Sequence, residues 1–266
     1  MCKVLFFIVS IQIYLQVKII INSKYLPLKN EIEQLILNYH TQGKLLVKGA
    51  RNSIKTNFLN EKEVNLKYFA KLGFIKGLIY TFFRPSKAKR SFEYANYLLE
   101  HQILTPNPIA FSEDYKNGLL AESFYISDHI NYDFTFRELI HDPLFPERDL
   151  IIEQFTEFTF KLHEAKVNFL DHSPGNTLIV KRENSKYDFY LIDLNRMKFE
   201  NMSIEKRMDN FKKMWISKHM VKVIAKKYAE LSNVNEKQLF DLLMQSSQQF
   251  KRKIAKKKYL KRKLKR

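Results

Sequence analysis

The chain has 266 residues, of which 45% are hydrophobic and 14% aromatic, enough for a full core and too apolar for a disordered polypeptide. Its formal charge is +18, and eleven Lys or Arg lie in residues 251–266 with no acid among them, so removing them leaves about +7 for the rest. The single cysteine, Cys2, excludes a disulfide framework and points to a reducing, cytoplasmic setting; the histidines lack the spacing of zinc ligands.

Residues 1–16, MCKVLFFIVSIQIYLQ, form an apolar run interrupted by Gln12 and Gln16 and followed by Lys18, without a small-residue cleavage site. They read as an extension or early strand rather than a signal. The run Ile19-Ile20-Ile21 and a helical stretch over 26–38 complete an N-terminal extension, 1–40, that packs on the strands after it. Three β-rich runs come next, Lys44 to Lys48, Ser53 to Phe58 and Glu63 to Phe69, the first two joined by the turn Gly49-Ala50-Arg51-Asn52. A helix is expected from Ser86 to Gln102, opened by Pro85-Ser86 and closed before Pro106-Asn107-Pro108, with Ala88, Phe92, Ala95, Leu99 and Ile103 in one stripe. Two apolar runs, Pro108 to Ser112 and Leu119 to Ile126, follow. Leu150 to Val167 then spaces Ile151, Phe155, Phe158, Leu162 and Ala165 at a helical period, and Thr177–Val180 and Phe189–Asp193 flank a polar segment as a hairpin. There is no internal repeat. The basic terminus, 251–266, interleaves its charges with Ile254, Ala255, Tyr259, Leu260 and Leu264, which suits an anionic membrane face or, alternatively, nucleic-acid phosphates or a solvated tail.

Two short stretches carry chemistry: Asp171-His172-Ser173-Pro174-Gly175-Asn176 and Leu191-Ile192-Asp193-Leu194-Asn195-Arg196. An acid, an Asn five residues on, a strand pair and a second acid are what kinases use to place an acceptor hydroxyl and hold Mg²⁺, because phosphoryl transfer depends on charge placement more than on covalent help. Asp171 fits the acceptor-orienting acid, Asn176 and Asp193 the metal ligands. Each motif alone is also ordinary turn or capping chemistry; their joint order inside helix, loop and hairpin favours the kinase reading.

The stretch Leu162 to Phe199, LHEAKVNFLDHSPGNTLIVKRENSKYDFYLIDLNRMKF, resembles the lipopolysaccharide kinases of the Kdo kinase and WaaP type, and the resemblance runs from about Lys44 to about Ala229. It implies an α+β, bilobal protein-kinase-like fold: a small antiparallel-sheet lobe with one helix over 41–127, a mainly helical lobe over 128–250, and a polybasic tail, 251–266. It implies ATP- and Mg²⁺-dependent phosphorylation of an inner-core sugar such as Kdo on a Kdo-lipid A precursor. The enzyme would be cytoplasmic and peripherally held on the inner membrane by the tail, with no specific nucleic acid expected. By position, Asp171 matches the catalytic acid, and Lys67, in the third strand, matches the lysine that pairs the α- and β-phosphates. Glu93 matches the helix acid that fixes that lysine, although it lies off the apolar stripe and is equally read as surface charge. Gly49, Ala50, Arg51 and Asn52 match the turn over the phosphates, equally read as an ordinary hairpin turn. Backbone groups of Tyr125, Ile126 and Ser127 match the adenine-binding hinge. Phe169-Leu170-Asp171 stands where protein kinases have His-Arg-Asp, Asp193-Leu194-Asn195 where they have Asp-Phe-Gly, and no Ala-Pro-Glu follows. That favours a small or lipid-linked acceptor. The rivals are a small protein Ser/Thr kinase lacking a regulated activation segment, and a non-catalytic kinase-fold or nucleic-acid-binding module.

Overall fold

The protein, seen in a computed structural model, is described over residues 16–49, 52–70 and 72–264. The expectations for residues 1–15, and for Ala50 and Arg51 in the phosphate-covering turn, lie outside the described residues. The fold is α+β, with an antiparallel N-terminal sheet and a helical C-terminal part, and the chain divides into two units. One gathers the described residues up to Leu99 with Pro106–Ile130; the other gathers Glu100–Thr105 with the chain from Asn131 onward.

The first unit contains β1 (Gln16–Ile21), α1 (Lys29–Leu37), β2 (Lys44–Lys48), β3 (Asn52–Leu59), β4 (Lys62–Phe69), α2 (Phe74–Leu78), α3 (Lys87–Glu100), β5 (Pro108–Lys116) and β6 (Leu119–Asp128). Its six strands form one antiparallel sheet in the order β1-β5-β6-β4-β3-β2. Strand alternation sorts the side chains onto two faces. Val64, Leu66, Phe124 and Ile126 pack with Ile32, Leu35, Ile36 and Tyr39 of α1. Phe69, Phe111 and Tyr125, one register out, pack with Ala88 and Phe92 of α3. Each large aliphatic or phenylalanine side chain among these contributes about 2 kcal/mol by leaving water. The expected helix over 26–38 starts later, at Lys29. A 3₁₀ turn, Ser23–Leu28, precedes it, capped by the Asn22 side chain accepting from Lys24 N at 3.3 Å. The stretch after β4, with no sequence expectation attached, forms α2 and then a π-helical turn, Ile79–Phe83.

The second unit runs β7 (Phe134–Thr135), α4 (Phe136–His141), α5 (Arg148–Glu164), β8 (Val167–Phe169), β9 (Thr177–Lys181), β10 (Tyr187–Leu191), β11 (Met197–Phe199), α6 (Ile204–Asn210), α7 (Lys218–Ser232) and α8 (Glu236–Lys263). The i, i+4 stripe of α5 delivers Ile151, Phe155 and Leu162 to zero exposure, and Phe155 contacts Phe136, Phe189 and Phe211 at ring-centroid distances of 4.3, 5.6 and 6.4 Å. Met208, Met220, Ile224 and Leu239 from α6, α7 and α8 close the same core. Within the described part of the basic terminus, residues 251–263 form the distal half of α8, whose proximal half is anchored by buried Leu239, Leu243 and Ser247, while residues 252–264 stand mostly in solvent.

Candidate active site

α5 ends at Glu164, the chain reverses through Lys166 in the left-handed region (φ 60°), and β8 carries it to Asp171. Three groups brace that residue. Asn176 Nδ2 donates to Asp171 O at 2.9 Å, closing the loop between them. Lys213 Nζ, from the 3₁₀ turn Phe211–Met214, donates to Leu170 O at 2.6 Å and to Asp171 Oδ1 at 3.0 Å. Arg196 Nη1 stands 3.5 Å from Asp171 Oδ2, held there because β11 pairs with β8 and Leu170 N donates to Arg196 O at 2.9 Å. Charge-assisted contacts from two cations thus fix the half-buried carboxylate in position.

The hairpin expected from the sequence is formed, with Thr177 opposite Leu191 in the β9–β10 ladder. One step further, Ile192 N donates to Asn176 O at 3.0 Å, so Asn176 and Asp193 emerge side by side at the open end. Leu191 is further pinned by Leu104 O, which accepts from its N–H at 3.0 Å, and by Thr105 Oγ1, which donates to its carbonyl at 2.7 Å. Asp193 adopts φ 59°, a conformation Asp tolerates better than most residues, and Asn195 Nδ2 donates to its Oδ1 at 2.6 Å. These residues fit a divalent cation. The Asn176 amide nitrogen is committed to Asp171 O, which leaves its oxygen as the ligand atom beside the Asp193 carboxylate. Two hard oxygens completed by phosphate and water are a Mg²⁺ set. Among the described residues no cluster of three His, Cys, Asp or Glu forms a closed metal centre.

Behind the loop lies a buried polar network invisible in the sequence. Asn210 Oδ1 accepts from His172 Nδ1 at 3.0 Å and from His163 Nε2 at 3.4 Å, while its amide donates to Asn168 Oδ1 at 2.9 Å and Phe169 O at 3.0 Å. His163 Nδ1 accepts from Tyr228 Oη at 3.0 Å, and His172 Nε2 has no hydrogen-bond partner. Burial pushes His163 down to about 3, helped by the charge of His172, and His172 down to about 4; burial raises Tyr228 to about 12. Both histidines are therefore neutral, and they order the strand that leads into Asp171.

In the first unit Lys67 lies on the α3 face of β4, its Nζ 5.5 Å from the Phe69 ring, with Lys87 Nζ 5.6 Å from the same ring. Glu93, on α3, pairs with Lys89 one turn away at 3.7 Å and is half-exposed, so the ion pair expected between Lys67 and Glu93 is not the one it makes. Its position off the apolar stripe is the reason. The β2–β3 turn is closed by Gly49 N donating to Asn52 O at 2.9 Å; Asn52 Oδ1 is buried without a hydrogen-bond partner. Tyr125, Ile126 and Ser127, the expected hinge, sit within the sheet, opposite Lys67, Leu66 and Asn65 of β4 and Phe111, Ala110 and Pro108 of β5, with a bulge in the β5 pairing between Pro108 and Ala110. Even beyond them, Asp128 N donates to Asn107 O and His129 N to Glu63 O, both at 3.0 Å.

Compared with known proteins, the sequence matches no family profile and no curated relative. Its fold is that of a solved kinase-like structure. WaaP, determined in complex with acyl carrier protein, superposes with a TM-score of 0.60 over 88% of this chain and 99% of WaaP, at 14% identity. At that identity the likeness is one of fold alone, the kinase-like fold that the resemblance implied. Lys213 and Asn210 were out of reach of motif reading, being separated in sequence from the loop they support. Arg196 was within reach, since it closes the Asp193 motif.

Proposed function

We propose that this protein is an ATP-dependent kinase that phosphorylates a sugar hydroxyl of the lipopolysaccharide inner core, Kdo being the expected acceptor. The observation that carries the reading is the convergence of Asp171, Asn176 and Asp193 at one end of the β9–β10 hairpin inside a WaaP-like fold. Asp171 orients the acceptor hydroxyl and takes its proton as the oxygen attacks the γ-phosphorus of ATP and ADP departs. Lys213 and Arg196 hold that carboxylate in place. Asn176 and Asp193 would hold Mg²⁺, which would neutralise charge on the phosphate oxygens. Lys67 is assigned to the α- and β-phosphates, and the Gly49–Asn52 turn to their cover.

The acceptor class is supported by the chain after Asp193. Where a regulated protein kinase carries a long activation loop, β11 pairs at once with β8 and α6 begins at Ile204, capped by the Ser203 side chain. That leaves little loop for peptide docking and favours a small or lipid-linked acceptor over the protein-kinase alternative. The test is transfer from labelled ATP with Mg²⁺ to purified Kdo-lipid A precursor, read by mass spectrometry of the lipid. Phosphorylated lipid is the expected product. Labelled protein in a lysate with unlabelled lipid would transfer the assignment to the protein-kinase reading.

A peripheral position on the inner membrane fits the basic half of α8. No helix among the described residues is long and apolar enough to cross a membrane. Nine cations without an acid in residues 251–263, each contributing about 1 kcal/mol near an anionic surface, make the distal half of α8 an electrostatic tether. Ending the chain after Phe250 is expected to weaken low-salt binding to phosphatidylglycerol vesicles by at least about a hundredfold. The fold should survive, because Leu239, Leu243 and Ser247 remain in place; co-sedimentation and circular dichroism report the two effects separately.

A further inference from the structure

Between β4 and α3, α2 and the π-helical turn after it leave five large apolar side chains outside the core. Phe74 and Ile75 are each 73% exposed, Ile79 42%, Phe82 66% and Phe83 82%. Steps of four from Ile75 to Ile79 and of three and four to Phe82 and Phe83 place them along one side of the helical turns. An apolar cluster of this size in water marks a contact surface.

The segment is not a slack loop that failed to bury these rings. Gly77 is buried against β6, where a Cβ would come within 3.2 Å of Leu120 O. Thr81 Oγ1 donates to Gly77 O at 2.7 Å and accepts from Leu120 N at 2.8 Å; Leu72 N donates to Ala121 O at 2.7 Å. These bonds clamp one side of the segment onto β6, and the apolar side is left outward.

The charge around it is one-sided. Residues 72–89 contain four Lys or Arg, Lys76, Arg84, Lys87 and Lys89, and no acid. Lys76 and Arg84 are exposed within and beside the apolar run, whereas Lys89 shares its charge with Glu93. Glu122 lines the same hollow as Lys76 and Lys87, but it is engaged by Tyr68 Oη at 2.6 Å and Lys116 Nζ at 3.5 Å. Outward aromatic and aliphatic side chains with cations at their rim match the boundary of an anionic bilayer, where rings enter the acyl edge and cations meet lipid phosphates.

We propose that residues 74–83 are an interfacial membrane anchor, with Phe74, Ile75, Ile79, Phe82 and Phe83 inserting and Lys76 and Arg84 contacting anionic headgroups. The anchor is independent of the phosphotransfer reading, since it needs neither nucleotide nor acceptor. It also differs in kind from the α8 tether, because apolar insertion resists salt and electrostatic attraction does not.

That difference is the test. The full chain, without nucleotide, is co-sedimented with phosphatidylethanolamine–phosphatidylglycerol vesicles at about 0.1 M and about 0.5 M NaCl, the higher salt shrinking the Debye length to roughly 4 Å and silencing the tether. The unaltered protein is expected to keep a salt-resistant fraction, and Phe82→Ser with Phe83→Ser to lower that fraction at least about tenfold while sparing the salt-sensitive part. Both positions are exposed, so the variant should fold, as circular dichroism would verify. A second measurement places an environment-sensitive dye on Phe83→Cys in a Cys2→Ser background, and its emission should shift to the blue on vesicle binding. Equal binding by the variant at both salts, no salt-resistant fraction in the unaltered protein, or a dye that keeps its aqueous emission when bound would each overturn the anchor. The patch would then belong to a protein partner or to another segment of this chain.

Discussion

Asp193→Asn is expected to lower phosphoryl transfer by about a thousandfold or more, equivalent to about 4 kcal/mol of transition-state stabilisation, with little change in stability. Of the two proposed metal ligands, Asp193 alone carries charge, and catalysis of this kind rests on charge placed before the reaction begins. Asn preserves the shape and tolerates the φ of 59°, so the kinetic loss is separated from backbone strain; Ala at that φ would add about 1 kcal/mol of strain. Asp171→Asn should produce a loss of similar order while leaving Lys213 and Arg196 facing a neutral amide. Lys213→Ala removes a brace and no reacting group. Its expected effect is about tenfold, felt in kcat rather than in KM for ATP, because it acts by holding Asp171 in position. Single-turnover transfer from labelled ATP measures all three. Asp193→Asn retaining more than about a tenth of the rate would remove the metal role from that residue.

The elements legible in the sequence were those specified by local periodicity and turn chemistry. The β9–β10 hairpin needed only two β-rich runs around a polar segment, and its register then places Asn176 beside Asp193 without further information. The same holds for the core sheet strands and for α5, whose apolar period survives intact in the fold. What escaped was set by long-range pairing. Lys213 reaches Asp171 because an irregular turn after α6 folds back onto the loop, and Asn210 meets two histidines from different elements. Nothing near either residue in the chain announces those contacts. The end of β6 was legible only in part for a related reason: a strand end looks the same in sequence whether or not a neighbour runs beside it, and β6 is flanked by β4 and β5 through Ser127. Residues 74–83 were unreadable as structure because their rings satisfy no core, and periodicity arguments presume that apolar side chains are buried.

Between about pH 7 and about pH 5 the second unit is expected to lose roughly 3–4 kcal/mol of stability through His163 and His172. In the folded state burial lowers His163 to about 3 and His172 to about 4, whereas in the unfolded chain both titrate near their ordinary value of about 6.5. Below that value the unfolded chain binds more protons than the folded one, so stability falls with pH by about 1.4 kcal/mol per unit for each histidine, and the decline continues until the folded values are reached. Above about pH 7 both states are neutral at these positions and the contribution is flat. The groups around them reinforce the direction: Arg207 Nη1 lies 3.5 Å from Tyr228 Oη, its positive charge disfavours a charged His163, and the rings of Phe155, Phe169 and Phe211 surround His172. Urea unfolding followed across this pH range should show the slope. His172→Leu should reduce it by about half, even though losing one hydrogen bond to Asn210 costs about 1–2 kcal/mol at neutral pH. A wild-type unfolding free energy that stays level down to about pH 5 would mean that the histidines can ionise in place, against their burial. Since Asn210 also donates to Asn168 and to the carbonyl of Phe169, protonating the network releases β8, two residues before Asp171. In the folded protein the network takes up protons only as the pH approaches about 4, so phosphotransfer by the folded protein should hold between about pH 7 and about pH 5 while stability declines, and fade only below that interval.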